Sequence, residues 1–151
     1  MIYSLIVKSR IRQSFDQVNN RQWDELLGSI APDVRHRFLG AHAIGGERHD
    51  RDTLRLWFER LARVLPDLRL TINRIWVKGW PWNTTVFVQW DGSATLLDGG
   101  PYSQHAIHVI TLKWGRIHEL DVFEDSQEIA RALDVQASEG LKEAIAPQIL
   151  S

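Results

Sequence analysis

Two periodicities divide the chain at Pro66. Before it, apolar residues recur at helical spacing. Residues 4–18 carry Leu5, Ile11, Phe15 and Val18 with Arg and Gln between them, which predicts an amphipathic helix. A short second helix over 21–30 holds Trp23, Leu26, Leu27 and Ile30 and is stopped by Pro32. Val34–Leu39 alternates as a strand, with Val34, His36 and Phe38 on one face and Arg35 and Arg37 on the other. Gly40–Asp50 reads as a loop. The strongest helix covers 51–65, where Leu54, Trp57, Phe58, Leu61, Val64 and Leu65 form one stripe, and Asp50 or Asp52 supplies an N-cap.

After Pro66 the period falls to two. Leu68, Leu70 and Ile72 alternate with polar residues in a strand that continues to Gly79, and Trp80–Asn83 makes the turn. Val86, Val88 and Trp90 alternate in the next strand. Asp91–Tyr102 reads as a long connection, with Asp98-Gly99-Gly100-Pro101 as its turn signal. His105–Leu112 and Ile117–Glu124 are the last two strands. Asp125 then caps a helix, with Glu128 three residues on as a capping box, and 137–145 adds a further helical turn or two. Segregated helices and strands predict one α+β domain over 1–151. Its strongly curved antiparallel sheet packs on three N-terminal helices and leaves a cone open at one end. A helical tail starts near residue 126.

Composition narrows the function. The chain has 18 basic and 19 acidic residues and no Cys. That excludes disulfides, thiol nucleophiles and Cys-ligated metal, and near-neutral net charge argues against nucleic acid as the main partner. No run approaches the roughly 18 to 20 apolar residues of a membrane span, so no membrane partner is expected and the cytoplasm is the expected location. His105 and His108 form H-x-x-H, but on a strand the two point to opposite faces. No metal site and no cofactor are expected.

The order of elements and several local phrases resemble the nuclear transport factor 2-like superfamily, which holds ketosteroid isomerases, limonene epoxide hydrolases and SnoaL-like polyketide cyclases. Asn19–Leu26 is similar to the break between its first two helices, and Ala31–Val34 to the entry of its first strand. Gly46–Phe58 is similar to its third helix, and Trp114–Ile117 through Glu124-Asp125 to its last hairpin. The agreement is closest to the SnoaL-like branch. The resemblance implies a cystatin-like cone with a pocket inside, usually dimeric. It does not fix a reaction, since one scaffold carries many functions. At the isomerases' base the chain has Phe38, at their first-helix Tyr it has Ser14, and at their second oxyanion donor it has His108. The epoxide hydrolases' Arg is missing from Val86–Asp91. Counting from Gly115, the cyclases' strand Asp falls on Val122, with Asp121 one residue short.

The register of the last hairpin decides which groups enter the cone. A three-residue loop Lys113-Trp114-Gly115, with Gly third as a bulge, sets His108 opposite Leu120 and Gln104 opposite Glu124. It places His108, His118 and Glu124 on the pocket face, and Asp121 and Ile117 outside. A two-residue Trp114-Gly115 turn would pair His108 with Asp121 instead. The catalytic candidates are therefore His108, as acid, base or oxyanion donor, with Asp121 and Glu124. Phe38, Trp57, Trp90, His108, Leu120 and Val122 are the candidate ligand contacts. Arg35, Arg37, Arg48 and Arg51 read as a solvated face. Trp23 and Trp57 lie in helical stripes, whereas Trp76, Trp80, Trp82 and Trp114 fall on the far strand face or in turns. The apolar outer face (Ile107, Val109, Ile117, Phe123) predicts a homodimer. Two functions fit. One is a cofactor-free isomerase, cyclase, hydrolase or dehydratase acting on a small hydrophobic ring compound. The other is a non-catalytic ligand-binding or interaction module.

Overall fold

A computed structural model describes residues 2–151. Helix α1 (Ile2–Asn19) buries Val7, Ile11 and Phe15 along one stripe. The chain reverses at Arg21, in the left-handed region at φ 56°, and enters the short α2 (Trp23–Leu27). Strand β1 (Ile30–Phe38) begins four residues earlier than the alternation predicts, so Pro32 lies inside it. Its pairing is irregular between Ile30 and Arg35, where a residue without an N–H is tolerated. Part of the predicted loop pairs with it as β2 (Gly46–Arg48). Asp50 caps α3 (Arg51–Val64) by accepting from the Thr53 N–H.

Strand β3 (Arg69–Trp80) lies one residue on from its expected span, β4 (Asn83–Thr95) and β5 (Pro101–Lys113) are longer than expected, and the connection after β4 shrinks to residues 96–100. Small side chains hide the alternation there. Gly92 and Ala94 continue the inward face of Trp90, and a Cβ on Gly92 would lie 2.8 Å from the Trp90 ring. Strand β6 (Arg116–Glu124) leads to α4 (Ser126–Ser138), and a 3₁₀ turn covers Lys142–Ile145. Asp125 accepts from the N–H groups of Gln127 and Glu128, but the Glu128 carboxylate turns to Arg131 instead of closing a capping box.

The six strands form one sheet in the order β2-β1-β6-β5-β4-β3. The hairpins β3–β4–β5–β6 are antiparallel as predicted, whereas β1 docks on β6 in parallel. Alternation along one strand carries no information about this long-range pairing. Helices α1 and α3 cover the concave face. Buried Gln136 of α4 donates to Val64 O at 2.8 Å, and its side-chain oxygen accepts from Leu97 N–H at 2.8 Å, which ties α4 across the end of the cone.

The last hairpin departs from both predicted registers. Its turn has two residues, Trp114 (φ 52°) and Gly115 (φ 78°), the positive-φ pair of a tight hairpin. The register then shifts between Thr111 and Leu112, leaving His118 as an extra residue in β6. Beyond this bulge His108 lies opposite Val122, Ala106 opposite Glu124 and Ile110 opposite Leu120. The pocket face therefore keeps His108, Leu120, Val122 and Glu124, while two residues change sides. Ile117 turns inward and is buried. His118 leaves the pocket and lies 4.0 Å from the Asp33 carboxylate.

Candidate functional site

The concave face encloses a cavity of about 70 Å³, measured as room for the centres of water-sized spheres. One water needs roughly 10–15 Å³ on that measure. Ile11, Ser14, Phe15 and Val18 of α1 form one wall, and Trp57, Phe58 and Leu61 of α3 another. All six candidate contacts line it: Phe38, Trp57, Trp90, His108, Leu120 and Val122. The few polar groups are His36, Tyr102, His108 and Glu124, with Ser14 at the α1 wall.

Cross-strand pairing explains how these groups converge. Val88, His108, Val122 and Phe38 lie on one rung from β4 to β1, and Trp90, Ala106 and Glu124 on the next. Trp90 Nε1–H donates to His108 Nδ1 at 2.6 Å. That nitrogen must hold its lone pair, so the neutral ring carries its proton on Nε2. The Phe15 ring stands edge-on to the imidazole at 5.3 Å. Burial pushes the His108 pKa down to about 3. At neutral pH the imidazole is therefore uncharged and offers one N–H.

Glu124 ends β6 with its side chain between this cavity and a shallow groove beside His105 and Phe123. Burial, with a smaller contribution from the Asp125 charge, pushes its pKa up to about 8. It is mostly protonated at pH 7, yet close enough to neutrality to change state. Tyr102 accepts from Gln104 Nε2 at 3.1 Å, and burial followed by the nearby Glu124 raises its pKa. Gln104 also receives the Asp125 N–H at 2.8 Å, fixing the end of β6 beside Tyr102.

Asp121 does not join this group. It pairs with Val109 on the opposite sheet face and binds Arg35 (3.1 Å) and Arg37 (3.4 Å). The bulge sets the parity that turns it away, and it does not line the cavity. His105, also outside, binds Asp91 at 2.6 Å.

Two buried residues were not visible as site residues in the sequence. His36 is fully buried on the cavity wall, its ring centre 4.4 Å from that of Trp57, and neither ring nitrogen has a hydrogen-bond partner among the described residues. Burial, then the nearby Arg48 and His108, hold its pKa well below the usual imidazole value. Its alternation with Val34 and Phe38 was the available signal. Arg48, expected in a solvated face, is fully buried opposite His36 on β2 and donates to Gly45 O at 2.8 Å. Burial and then Arg60 lower its pKa to about 10.

Residues 11–120 match the sequence model of the SnoaL-like domain. The chain belongs to the SnoaL-like domain family. No curated protein matches it in sequence. Solved structures show the same fold at low identity. An NTF2-like protein of unknown function from Burkholderia pseudomallei is 21% identical, with 83% of this chain and 95% of that chain covered at a TM-score of 0.72. TerC, co-crystallised with polyporic acid, is 18% identical, with 85% and 98% covered at 0.69. A candidate polyketide cyclase from Sinorhizobium meliloti is 19% identical, with 75% and 92% covered at 0.60. The SnoaL-like cone is thus shown by sequence and by shape, and burial pushes the pKa values of its four titratable cavity groups apart, His36 and His108 down and Tyr102 and Glu124 up.

Proposed function

We propose that this SnoaL-like protein binds a small hydrophobic ring compound bearing a carbonyl oxygen and moves a proton on the carbon beside it, without a cofactor. The Trp90–His108 hydrogen bond carries the reading. It fixes the imidazole as a neutral donor, the form suited to a developing enolate oxygen. Glu124 is the proton-transfer group. Its ionised fraction takes the α-proton, His108 Nε2–H binds the oxygen, and the acid form returns the proton to a second carbon or to the same one. A base with a pKa near the working pH combines availability with driving force. Isomerisation and ring closure both start from such an enolate. The polyporic acid seated with TerC supports a cyclic, oxygen-bearing ligand for this cone.

The test uses 2-tetralone as probe and follows exchange of its α-protons in D₂O by NMR. Wild type is expected to accelerate exchange over buffer, with Glu124→Gln and His108→Ala each removing most of the gain. Tetralone binding without exchange would establish the alternative, a binding module.

We also infer a homodimer through the outer sheet face. Trp76, Phe87, Ile107 and Phe123 lie there, each about two-fifths exposed, and a solvated antiparallel face would be polar. Ile117, buried inside, is not part of it. Sedimentation at micromolar concentration should give a dimer, and Ile107→Lys together with Phe123→Lys should give a folded monomer. A wild-type monomer would reject the interface.

A further inference from the structure

The net charge of −1 conceals an uneven distribution. Residues 2–15, 68–90 and 99–118 contain eight Lys and Arg and no Asp or Glu; every acidic residue lies elsewhere. These three segments are α1 up to Phe15, β3 with β4 up to Trp90, and the β5–β6 hairpin up to the bulge, stopping short of Asp16 in α1 and Asp91 in β4. Their hairpin tips and the start of α1 meet at one end of the molecule, with Arg69 at the far end of β3. The Trp114 N–H donates to Pro81 O at 2.6 Å, joining the two hairpin tips. Tyr3 of α1 hydrogen-bonds Thr84, which in turn donates to Trp80 O.

That end displays large apolar side chains. Trp80, Trp82 and Trp114 are 66%, 55% and 73% exposed. The rings of Trp80 and Trp82 stack at 5.9 Å, and Trp114 lies 6.2 Å from Trp82. Ile2, Leu5 and Ile6 form an exposed stripe on the first turns of α1. Lys78, Lys113 and Arg116 flank the tryptophans and are exposed, while Arg10 reaches over Gly115. Exposing three tryptophans to water is costly unless something covers them.

We propose that this end docks on an anionic lipid bilayer. Tryptophan rings have an apolar body and a polar N–H, which suits the headgroup boundary. Isoleucine and leucine reach below it, and lysine and arginine meet the negative surface potential. The combination distinguishes a bilayer from single-stranded nucleic acid, which needs open ring faces on which to stack bases. Here two of the three rings stack on each other, and the aliphatic stripe would have no role. The expectation of no membrane partner rested on the lack of a spanning run, and no helix among the described residues is long and apolar enough to span. Lying on a surface needs none. Docking also places the bilayer beside a groove bordered by Arg10, Trp114 and Arg116, with Glu25 as its acidic member. That groove shares Ile11, Ser14 and Ile117 with the cavity wall. A lipid-dissolved ligand would enter there without crossing bulk water.

Co-sedimentation with vesicles tests the proposal, using phosphatidylcholine alone and phosphatidylcholine with about 30% phosphatidylglycerol, a surface that attracts basic segments. The full chain should pellet at least tenfold more with the anionic vesicles, and less as salt rises and shortens the Debye length. Trp80→Ser with Trp82→Ser and Trp114→Ser should reduce pelleting at least tenfold while circular dichroism shows an unchanged fold. Lys78→Glu with Lys113→Glu should remove the preference for anionic lipid, and this second variant keeps the test open if the triple variant misfolds. Pelleting no greater with anionic vesicles would overturn the proposal, as would pelleting that the variants leave unchanged. So would a wild-type dimer dissolved by the Trp substitutions without vesicle binding, or binding to poly(U) in place of lipid. No cavity ligand is added, so failure here leaves the proton-transfer reading untouched.

Discussion

Glu124→Gln is expected to be more stable than wild type at pH 9 by on the order of a few kcal/mol, and nearly equal to it at pH 4. Burial moves the folded-state pKa from an ordinary 4.5 to about 8. Between those values the unfolded chain has lost the proton and the folded chain keeps it. The folded state therefore binds more protons, and its stability falls as pH rises through the window. Above pH 8 the loss is complete, because the carboxylate is ionised in both states but desolvated in one. Glutamine keeps the shape and cannot ionise, so its melting temperature should stay flat where wild type declines. Parallel curves for the two proteins would mean that Glu124 reaches water. The same group sets the kinetics. Tetralone exchange by wild type should rise with pH and level off above about 8, and Glu124→Gln should lose roughly 10²–10⁴-fold.

His108→Ala should cost about 10²–10³-fold in exchange rate, the usual effect of removing one preorganised donor from an oxyanion. Binding of tetralone should change much less, because the wall around the missing ring is apolar. Trp90→Phe separates the donor from its orientation. It keeps an aromatic ring beside Ala106 but removes the N–H that holds Nδ1 as acceptor. The imidazole can then carry its proton on either nitrogen, and exchange should fall by a smaller factor, about tenfold. The His108 pKa, followed by NMR, should rise above its buried value of about 3 in any variant that lets water reach the ring. If Trp90→Phe exchanges as fast as wild type, the hydrogen bond is not what fixes the donor.

The inner wall was legible where period-two alternation is local. Val86, Val88 and Trp90 face inward by strand alternation and are buried, Trp90 lining the cavity, and His108 follows from Ala106 and Ile110. Trp57 was read both as part of its helical stripe and as a ligand contact, and it is both core and wall. The signal failed where small residues or long-range pairing intervene. Gly92 and Ala94 look like loop but extend β4 under the Trp90 ring. Arg48 looks like surface because arginine usually is. It is buried because β2 pairs with β1 and sets it opposite His36, which no local pattern encodes. His36 itself sat on the right face of its strand. Nothing near it in sequence marked it as lacking hydrogen-bond partners, since that depends on α3 and β6 packing around it.

The extra residue in β6 also bears on how such a hairpin diverges. His118 absorbs one position between the Trp114-Gly115 tip and the ladder that carries Leu120, Val122 and Glu124. The tip and the wall are thereby uncoupled. Insertions or deletions arising near the turn can be taken up at that point, leaving the cavity-facing side chains where they were. Without such slack, each single-residue change in hairpin length would exchange the inner and outer faces of the whole strand. Lineages built on this scaffold are then free to vary the exposed tip while the chemistry behind it stays in register. Corresponding wall positions in distant relatives are best matched by counting along the paired ladder from His108, because a count that starts at the turn runs through the extra residue.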